Sequence, residues 1–289
     1  MHINNFNLPN KILAWYDNNK RTLPWRISKK SEKFQYYRIL SEFMLQQTQV
    51  KTVIPYFNKF VKKIPSLKAM SQSKEKKILK LWEGLGYYRR AKNLYLTSKI
   101  ISKNYNNKIP NQFEEIIKLP GVGKYTANIL LALIYNQPRI GVDGNVKRIF
   151  LRLFNKSIEK TEITFKKKLV KKNRNSDLAE ALMEFGALIC KPKDPKCNIC
   201  NLKKNCKFFK SKNKNLFSRK NHVIEKKYNI YCYLKKKKKR IALTKNKDLS
   251  FLSNFYIPET KKSNFDRGKN GWIYLCKYKN NISNIKMSI

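Results

Sequence analysis

The chain has 289 residues, of which 65 are Lys or Arg and 18 are Asp or Glu, so its formal net charge is +47. This charge indicates a polyanionic partner, nucleic acid above all, but lysine is also abundant in segments without any motif, where we expect it to be solvated surface. Only two histidines are present, which nearly excludes histidine-based metal sites and catalytic triads. The sequence has no apolar run of about 18 residues and no signal-peptide pattern, so we expect a cytoplasmic protein.

The first predicted elements are an extended Leu-Pro-Trp-Arg motif at residues 23–26 and a helix over residues 36–50. On that helix, Glu42, Gln46 and Gln49 would form one polar stripe beside an apolar, buried face. One interpretation makes Glu42 a surface residue paired with Arg38, one turn earlier. The glutamines and threonine that follow among apolar residues favour another, a surface that enters a base stack.

Helices are predicted next around residues 54–61 and 74–82, followed by a loop with two glycines. The aromatic pair Tyr87 and Tyr88 stands there beside Arg89 and Arg90. Such a pair could wedge into a duplex while the arginines bind phosphates. The alternative is a helix C-terminus with packed tyrosines, and the local sequence leaves both open.

Residues 119–127, Leu-Pro-Gly-Val-Gly-Lys-Tyr-Thr-Ala, form the most specific motif. A helix predicted over residues 112–119 must stop at the proline, and a second helical pattern begins at Tyr125. The two glycines between them, Gly121 and Gly123, let backbone N–H groups face outward at a helix N-terminus, which is a phosphate-binding arrangement. A plain glycine turn is the alternative, but the complete motif is more specific than that.

Four cysteines within 17 residues, Cys190, Cys197, Cys200 and Cys206, give the strongest metal signal. Disulfides are disfavoured in the cytoplasm, so this set predicts zinc or an iron–sulfur cluster. Zinc sites usually contain two C-x2-C pairs and this chain has one, which favours a [4Fe–4S] cluster. Cys232 and Cys276 lie outside the pattern and are predicted to be core residues.

The apolar period changes from helical to alternating in the C-terminal part of the chain. Strands are predicted at residues 228–234, 240–244, 272–278 and 285–289. We therefore expect three parts: a helical region at 1–210, a lysine- and asparagine-rich linker at 211–222, and a small β-rich domain at 223–289.

Taken in chain order, these motifs and the Gly-Val-Asp-Gly-Asn-Val-Lys-Arg run at residues 141–148 closely resemble adenine DNA glycosylases of the MutY type. The resemblance covers roughly residues 8–210. It implies a mainly α, helix-hairpin-helix DNA glycosylase with a six-helix barrel lobe and an iron–sulfur lobe holding a [4Fe–4S] cluster. The implied partner is double-stranded DNA containing A·8-oxoguanine or A·G mispairs, and the implied state is a monomer. Adenine removal would leave an abasic site and prevent G·C to T·A transversions.

The same resemblance assigns roles to residues. Glu42 is implied as the acid that protonates adenine at N7, and Asp143 as the carboxylate that stabilises the sugar cation, with Tyr125 and Asn145 in support. One acid and one carboxylate are what glycosidic cleavage requires. The residues implied to contact the flipped adenine, the base stack or the phosphates are Arg26, Leu45, Gln46, Gln47, Thr48, Tyr87, Gly121, Val122, Gly123 and Lys124.

Tyr125 stands where related glycosylase-lyases carry a Schiff-base lysine, and Lys124 lies one residue away, so a monofunctional enzyme is predicted. A thymine-mismatch or oxidised-pyrimidine glycosylase on the same scaffold is the enzymatic alternative. A DNA-binding iron–sulfur protein without activity is the non-enzymatic one.

The family's C-terminal domain is Nudix-like and reads 8-oxoguanine. Residues 251–259 resemble one of its stretches, and Ile-Ser-Asn at 282–284 stands where Phe-Ser-His is expected. Ser283 is therefore the predicted lesion contact. We expect this domain to be reduced and its lesion selectivity to be weak.

Overall fold

The structure, a computed structural model, describes residues 7–155 and 173–211, and beyond them eight short strands and Leu243 between residues 224 and 288. The chain divides into two compact units, Met1–Phe217 and Ser218–Ile289. All regular structure described in the first unit is helical, so the predicted mainly α fold is confirmed. Within the described residues, no helix combines the length and apolar character needed to cross a membrane.

The first unit contains eleven α-helices within its described residues. They are α1 Leu8–Asn19, α2 Phe34–Leu45, α3 Val50–Lys63, α4 Leu67–Gln72, α5 Glu75–Trp82, α6 Arg89–Asn104, α7 Phe113–Ile116, α8 Lys124–Tyr135, α9 Gly144–Phe154, α10 Asn175–Leu188 and α11 Lys207–Lys210. Two 3₁₀ turns, Cys197–Ile199 and Lys203–Asn205, lie between α10 and α11.

The buried apolar side chains of this unit form two large clusters. The first is built around α2, whose Ile39, Leu40 and Phe43 are completely buried, and it also takes in side chains of α3 to α8. The second joins α1, α9 and α10 and has three of the four cysteines of the metal motif at its edge. A small third cluster packs α8 against α10. Helix α8 contributes to both the first and the third cluster, because its apolar residues surround the helix instead of forming one stripe.

The predicted helix over residues 36–50 is wrong at its C-terminal end. Helix α2 stops at Leu45, Gln47 adopts a left-handed backbone with φ 59°, and α3 begins at Val50. The stripe of Glu42, Gln46 and Gln49 on one helix therefore does not exist. The carbonyls left free at the end of α2 accept hydrogen bonds from a distant side chain, Arg90, and no local sequence signal announces this partner.

Helix α7 is also shorter than the predicted 112–119. After Ile116 the chain continues in tight turns, with Lys118 N–H donating to the Glu115 carbonyl and Leu119 N–H to that of Ile116, each at 3.2 Å. The α conformation is disfavoured immediately before Pro120, so the helix unwinds before it reaches the proline.

The second unit is described through its strands. They are β1 Ile224–Tyr231, β2 Leu234–Lys235, β3 Arg240–Ile241, β4 Thr244–Lys245, β5 Tyr256–Ile257, β6 Glu259–Lys262, β7 Lys279–Ile282 and β8 Ile285–Ser288. One sheet has the order β6-β1-β8-β7, with β1 and β8 parallel and the other two pairs antiparallel. Two further pairs join β2 to β3 and β4 to β5.

Several expectations for this unit lie outside the described residues. They are the lesion contact Ser283, the cysteines Cys232 and Cys276, the strand at 272–278, the linker beyond residue 211 and most of the stretch at 251–259.

Candidate active site

Glu42 lies inside the protein, on the third turn of α2. It is only 7% exposed, and burial raises the pKa of its carboxyl from 4.5 to about 7 even though Arg38 acts in the opposite direction. The charges of Glu180 and Asp143 raise this pKa further. Arg38 lies one turn earlier but gives its hydrogen bond to Glu180. The interpretation of Glu42 as a surface residue paired with Arg38 is therefore wrong.

Asp143 occupies a different setting, at the N-cap of α9. Its Oδ1 accepts the Val146 backbone N–H at 2.7 Å, and its Oδ2 accepts the Asn145 side-chain amide at 2.8 Å. A carboxylate at this position also faces the positive end of the helix dipole. Asp143 is half-buried, and its charge is within electrostatic range of Glu42. The carboxyl groups of Glu42 and Asp143, which are far apart in the sequence, thus lie near each other in the structure.

The amide of Asn145 is fixed from behind by Arg148, a residue to which the sequence analysis gave no role. One guanidinium nitrogen of Arg148 donates to Asn145 Oδ1 at 2.7 Å and to the Gly186 carbonyl at 2.8 Å, and its Nε donates to the Cys190 carbonyl at 2.7 Å. This chain of contacts connects Asp143 to the first cysteine of the metal motif. Arg148 belongs to the motif at residues 141–148, which was the available signal.

Gly186 allows this approach. A Cβ atom at this position would lie 2.5 Å from the Asn145 Cβ, far inside contact distance. A glycine inside helix α10 costs helix stability, so its presence there was a signal of close packing that the sequence analysis did not use.

Tyr125 lies near both carboxyl groups. Its ring packs against Gly141, where a Cβ would come within 2.8 Å of the ring. Its hydroxyl donates to the Met183 sulfur at 3.3 Å, and it also lies near the Glu42 carboxyl, whose pKa it lowers slightly. Lys124, the neighbouring residue, is exposed.

Arg26, predicted to contact a base, takes part in a buried network of charges beside Glu42. It is 3.3 Å from Glu180 and 2.9 Å from Glu184, two residues on successive turns of α10. Burial alone would raise the pKa of Glu180, but Arg38 and Arg26 outweigh it and hold this pKa below its usual value. Tyr16 donates to Glu180, and Arg21 binds Glu184 through two nitrogens.

The predicted stack-facing residues lie on two loops. Gln46 donates to the Gly121 carbonyl and to Thr126 Oγ1, both at 3.3 Å, so it connects the end of α2 to the glycine hairpin. Gln47 and Tyr87 have left-handed backbones, with φ 59° and 49°, and Tyr87 is 53% exposed. Left-handed backbone at non-glycine residues is strained and is concentrated at functional sites. Leu45 and Thr48 are half-buried beside them.

Arg90 does not have the phosphate-facing position expected of the arginines beside the tyrosine pair. It is 7% exposed and donates to the carbonyls of Met44 at 2.6 Å and Gln46 at 2.5 Å, and also to that of Gly86 at 3.1 Å. Its guanidinium also lies over the Tyr87 ring, 5.3 Å from the centroid. Arg90 thus joins the two stack-facing loops, and only Arg89 of the pair is exposed.

The glycine hairpin has the predicted geometry. Gly121 has φ +77° and approaches Asn93 and Phe43 so closely that a Cβ would lie within 2.9 Å of both. Gly123 caps α8, and Lys124 follows as its first residue. Gly121, Gly123 and Lys124 are exposed, whereas Val122 is 6% exposed and packs in the first cluster. The Thr97 hydroxyl donates to the Pro120 carbonyl at 2.9 Å, which connects the hairpin to α6.

The four cysteines are half-buried and free of disulfides. Cys200 and Cys206 each lie within electrostatic range of the other cysteines of the motif, and burial raises the pKa of Cys200 to about 11. Arg152 approaches the Cys190 sulfur at 3.6 Å. In the part of the chain that the structure describes, no group of three or more His, Cys, Asp or Glu side chains is arranged ready to hold a metal ion. The four thiols fit a thiophilic metal by their chemistry, while their arrangement is not preorganised around one.

Comparisons with known proteins point in one direction. Residues 40–174 match the family described as HhH-GPD superfamily base excision DNA repair protein. An adenine DNA glycosylase of Buchnera aphidicola subsp. Baizongia pistaciae is 42% identical over 245 residues, a match that covers 78% of this chain and 68% of that protein. Another, from Buchnera aphidicola subsp. Schizaphis graminum, is 42% identical over 210 residues, covering 70% of this chain and 59% of that protein.

Among solved structures, a thermostable thymine-DNA glycosylase has a TM-score of 0.63 and 27% identity, and the match covers 70% of this chain and 94% of that one. The chain thus spans almost the whole length of this structure but only 59–68% of the two Buchnera proteins.

Proposed function

The chain belongs to the adenine DNA glycosylases of the HhH-GPD superfamily of base excision DNA repair proteins, and on this premise we propose that it removes adenine mispaired with 8-oxoguanine or guanine from duplex DNA. The reaction is hydrolysis of the N-glycosidic bond without strand cleavage. It leaves an abasic site opposite the damaged guanine. Repair of that site then prevents G·C to T·A transversion.

The observation that carries this proposal is the contrast between two neighbouring carboxyl groups. Adenine leaves readily only when it is protonated, and the sugar left behind has the character of a cation. Glu42 has a pKa of about 7 because it is buried, so it still carries a proton near neutral pH. Asp143 accepts hydrogen bonds from an amide and from a helix N-terminus, which stabilise a negative charge. One group supplies the acid and the other the carboxylate.

The steps follow from these positions. Glu42 donates its proton to N7 of a flipped adenine, and the bond between N9 and C1′ breaks with its electron pair moving into the base. Asp143 faces the cation that forms at C1′, and water adds there and gives one proton back to the Glu42 carboxylate. Tyr125 lies beside Glu42, and Asn145 holds the Asp143 carboxylate through its side-chain amide.

The base must leave the stack before this chemistry can occur. We assign Gln46, Gln47 and Tyr87, with Leu45 and Thr48 beside them, to the space left by the flipped adenine. The hairpin at residues 121–124 is assigned to a backbone phosphate, since its N–H groups and exposed lysine offer fixed donors. Arg26, in the charge network beside Glu42, is assigned to contact the flipped adenine.

Cys190, Cys197, Cys200 and Cys206 would hold a [4Fe–4S] cluster, as a spacing with a single C-x2-C pair favours. Such a cluster would supply a structural crosslink that fixes the lysine-rich loop of residues 191–205. Iron and zinc analysis of the purified protein distinguishes the alternatives. Four iron atoms per chain with broad absorption near 400 nm are expected, and one zinc in a colourless protein would contradict the cluster.

For the remainder of the chain we propose a helical glycosylase of two lobes at 1–210, a linker at 211–222 and a Nudix-like domain at 223–289 that faces the 8-oxoguanine strand through Ser283. The functional protein is proposed to be a monomer. Truncation near Ser211 tests the Nudix-like domain. If its lesion selectivity is weak, the ratio of rates opposite 8-oxoguanine and guanine should change less than about threefold, the equivalent of one weak hydrogen bond.

The proposal is tested by single-turnover excision from duplex oligonucleotides. Adenine opposite 8-oxoguanine and opposite guanine should be released, and adenine opposite thymine should not. A G·T mispair is the essential comparison, because the similar solved structure is that of a thymine-DNA glycosylase. Release of thymine without release of adenine would contradict the proposal. Specific binding of the mispair without release of any base would favour the non-enzymatic alternative.

A further inference from the structure

Arg38 and Glu42 lie one turn apart on the same helix, and both are buried. Arg38 is 6% and Glu42 is 7% exposed, so water can solvate the charge of neither side chain. An arginine and a glutamate at this spacing ordinarily form an ion pair. An ion pair would keep Glu42 ionised, and an ionised carboxyl has no proton to give. The structure avoids this pair.

The partner that Arg38 takes instead is Glu180 of α10. Glu180 is 6% exposed, and it accepts from Arg38 and Tyr16 while Arg26 stands 3.3 Å away. The Nε atom of Arg38 is buried without a hydrogen-bond partner. The hold of Glu180 on this guanidinium is therefore a single hydrogen-bonded contact, supported by the Phe34 ring 5.1 Å from the guanidinium.

The carboxyl groups around Glu42 oppose its ionisation. Three arginines, Arg21, Arg26 and Arg38, face the two glutamates of α10, and Asp143 adds a negative charge near Glu42. Ionised Glu42 would add a further negative charge in a buried place, which is unfavourable.

We propose that Glu180 is a positioning residue for the acid: by holding the Arg38 guanidinium, it prevents this cation from pairing with Glu42. Loss of the Glu180 charge leaves a buried arginine without its carboxylate, and Glu42 is the nearest replacement on the same helix face. Glu42 then loses its proton and pairs with the Arg38 guanidinium as a carboxylate. This inference rests on the proposed role of Glu42 as the acid.

The other groups that face Glu42 do not produce this effect. Tyr125 of α8 offers a neutral hydroxyl, and Asp143 at the start of α9 is negative and opposes ionisation of its neighbour. Arg26 divides its contacts between Glu180 and Glu184. Arg38 is the cation that lowers the pKa of Glu42, so the position of the Arg38 guanidinium determines how readily Glu42 keeps its proton.

The test is the pH dependence of adenine release in a double-mutant cycle. Single-turnover rates on A·8-oxoguanine duplex are measured between about pH 5 and 9 for the wild type, Glu180→Gln, Arg38→Met and the double variant. The wild-type rate should fall as pH rises past about 7, where Glu42 loses its proton. Glu180→Gln should move this fall lower by roughly one pH unit or more, and Arg38→Met should move it higher.

The double variant decides the mechanism. If Glu180 acts by holding Arg38, Glu180→Gln should shift the pH at which the rate falls by less than half as much in the Arg38→Met background as in the wild type. An equal shift in both backgrounds would overturn the inference, because Glu180 would then act through its own charge. A lower rate at every pH with an unmoved fall would overturn it too, since that is the result of a structural role or of a direct contact with the base.

Glu184→Gln is the matched control. Glu184 lies one turn later on α10 and binds Arg21 and Arg26 but not Arg38, so its replacement should leave the position of the fall unchanged. If Glu180→Gln does not fold, the upward shift in Arg38→Met alone still tests the inference, and its absence contradicts it. Failure of the wild type to release adenine would overturn the proposed function as well, which separates the two failures.

Discussion

The two carboxyl groups of the site sit in regions of opposite character. Glu42 belongs to the interior of a helix and is surrounded by the apolar cluster of α2 and by charges from other helices. Asp143 belongs to a helix end, where the backbone itself supplies a hydrogen-bond donor and a favourable dipole. Burial around Glu42 favours the protonated acid. The hydrogen bond and the helix dipole at Asp143 stabilise a carboxylate.

The two regions also differ in how far along the chain their contributing residues lie from the carboxyl group. The Asp143 region is local, since its donors come from residues two and three positions later, with Arg148 and Gly186 as the outer support. The Glu42 region depends on distant residues, because Tyr125, Asp143 and Glu180 arrive from three other elements. A pair of groups with separated protonation states is what general acid catalysis near neutral pH requires.

The largest expected effect removes the acid while retaining its shape. Glu42→Gln should lower the single-turnover rate of adenine release by roughly 10²–10⁴-fold, because the amide cannot protonate the base. Mispair affinity in a gel-shift titration should remain close to wild type. A rate within about threefold of wild type would mean that the two regions do not divide the work as proposed.

A smaller loss is expected from the support behind Asp143. Arg148→Met removes the donor to Asn145 Oδ1, and the free amide no longer holds the carboxylate. A hydrogen bond to a charged group is worth about 1.5–3 kcal/mol, so a roughly 10- to 100-fold lower rate is expected.

The position of the pH fall separates this effect from one on the acid. It should stay in place in Arg148→Met, since the change lies on the carboxylate side. Lys147→Met, at the preceding position of α9, is the matched control and should have a normal rate. A shifted fall in Arg148→Met would show that the two regions are coupled.

A third prediction concerns stability instead of rate. The pKa of Glu42 is raised in the folded protein from 4.5 to about 7, so the folded state binds its proton more tightly than the unfolded state does. The contribution of Glu42 is therefore most favourable below pH 4.5 and is lost as pH rises to about 7. Glu42→Gln should raise the free energy of unfolding at pH 8 by roughly 2 kcal/mol relative to its effect at about pH 5.5, where the folded protein still holds the Glu42 proton.

Urea unfolding of the two proteins at about pH 5.5 and 8 measures this difference. An equal effect of Glu42→Gln at both pH values would contradict the raised pKa and with it the assignment of the acid.

The smallest expected effect is a null result. Tyr125 offers no amine, and Lys124 is exposed outside both regions, so borohydride should trap almost no covalent complex with DNA. Strand breaks should appear only after alkali or heat. Efficient trapping that disappears in Lys124→Ala would contradict the monofunctional mechanism and assign a nucleophile to the hairpin.

Much of this protein could be predicted from its sequence. The glycine hairpin, the Asp143 cap and the mainly helical fold follow from short-range rules: glycine permits the left-handed turn at Gly121, and an aspartate before a helical run caps it. These features depend on residues within about one helical turn of each other, which is the range over which sequence patterns carry conformational information.

The tertiary structure alone decided the state of Glu42. Its burial, the diversion of Arg38 to Glu180 and the early end of α2 under Arg90 all depend on side chains that are 46 to 142 positions apart in the chain. Spacing within α2 even suggested the opposite, an exposed ion pair and a longer helix. A pKa is set by every charge and by the solvent around a group, whereas a local pattern records only the neighbours along the chain. The sequence therefore predicted Glu42 as the acid through its resemblance to a family, whereas the raised pKa of this carboxyl follows from the packing of separate elements around it.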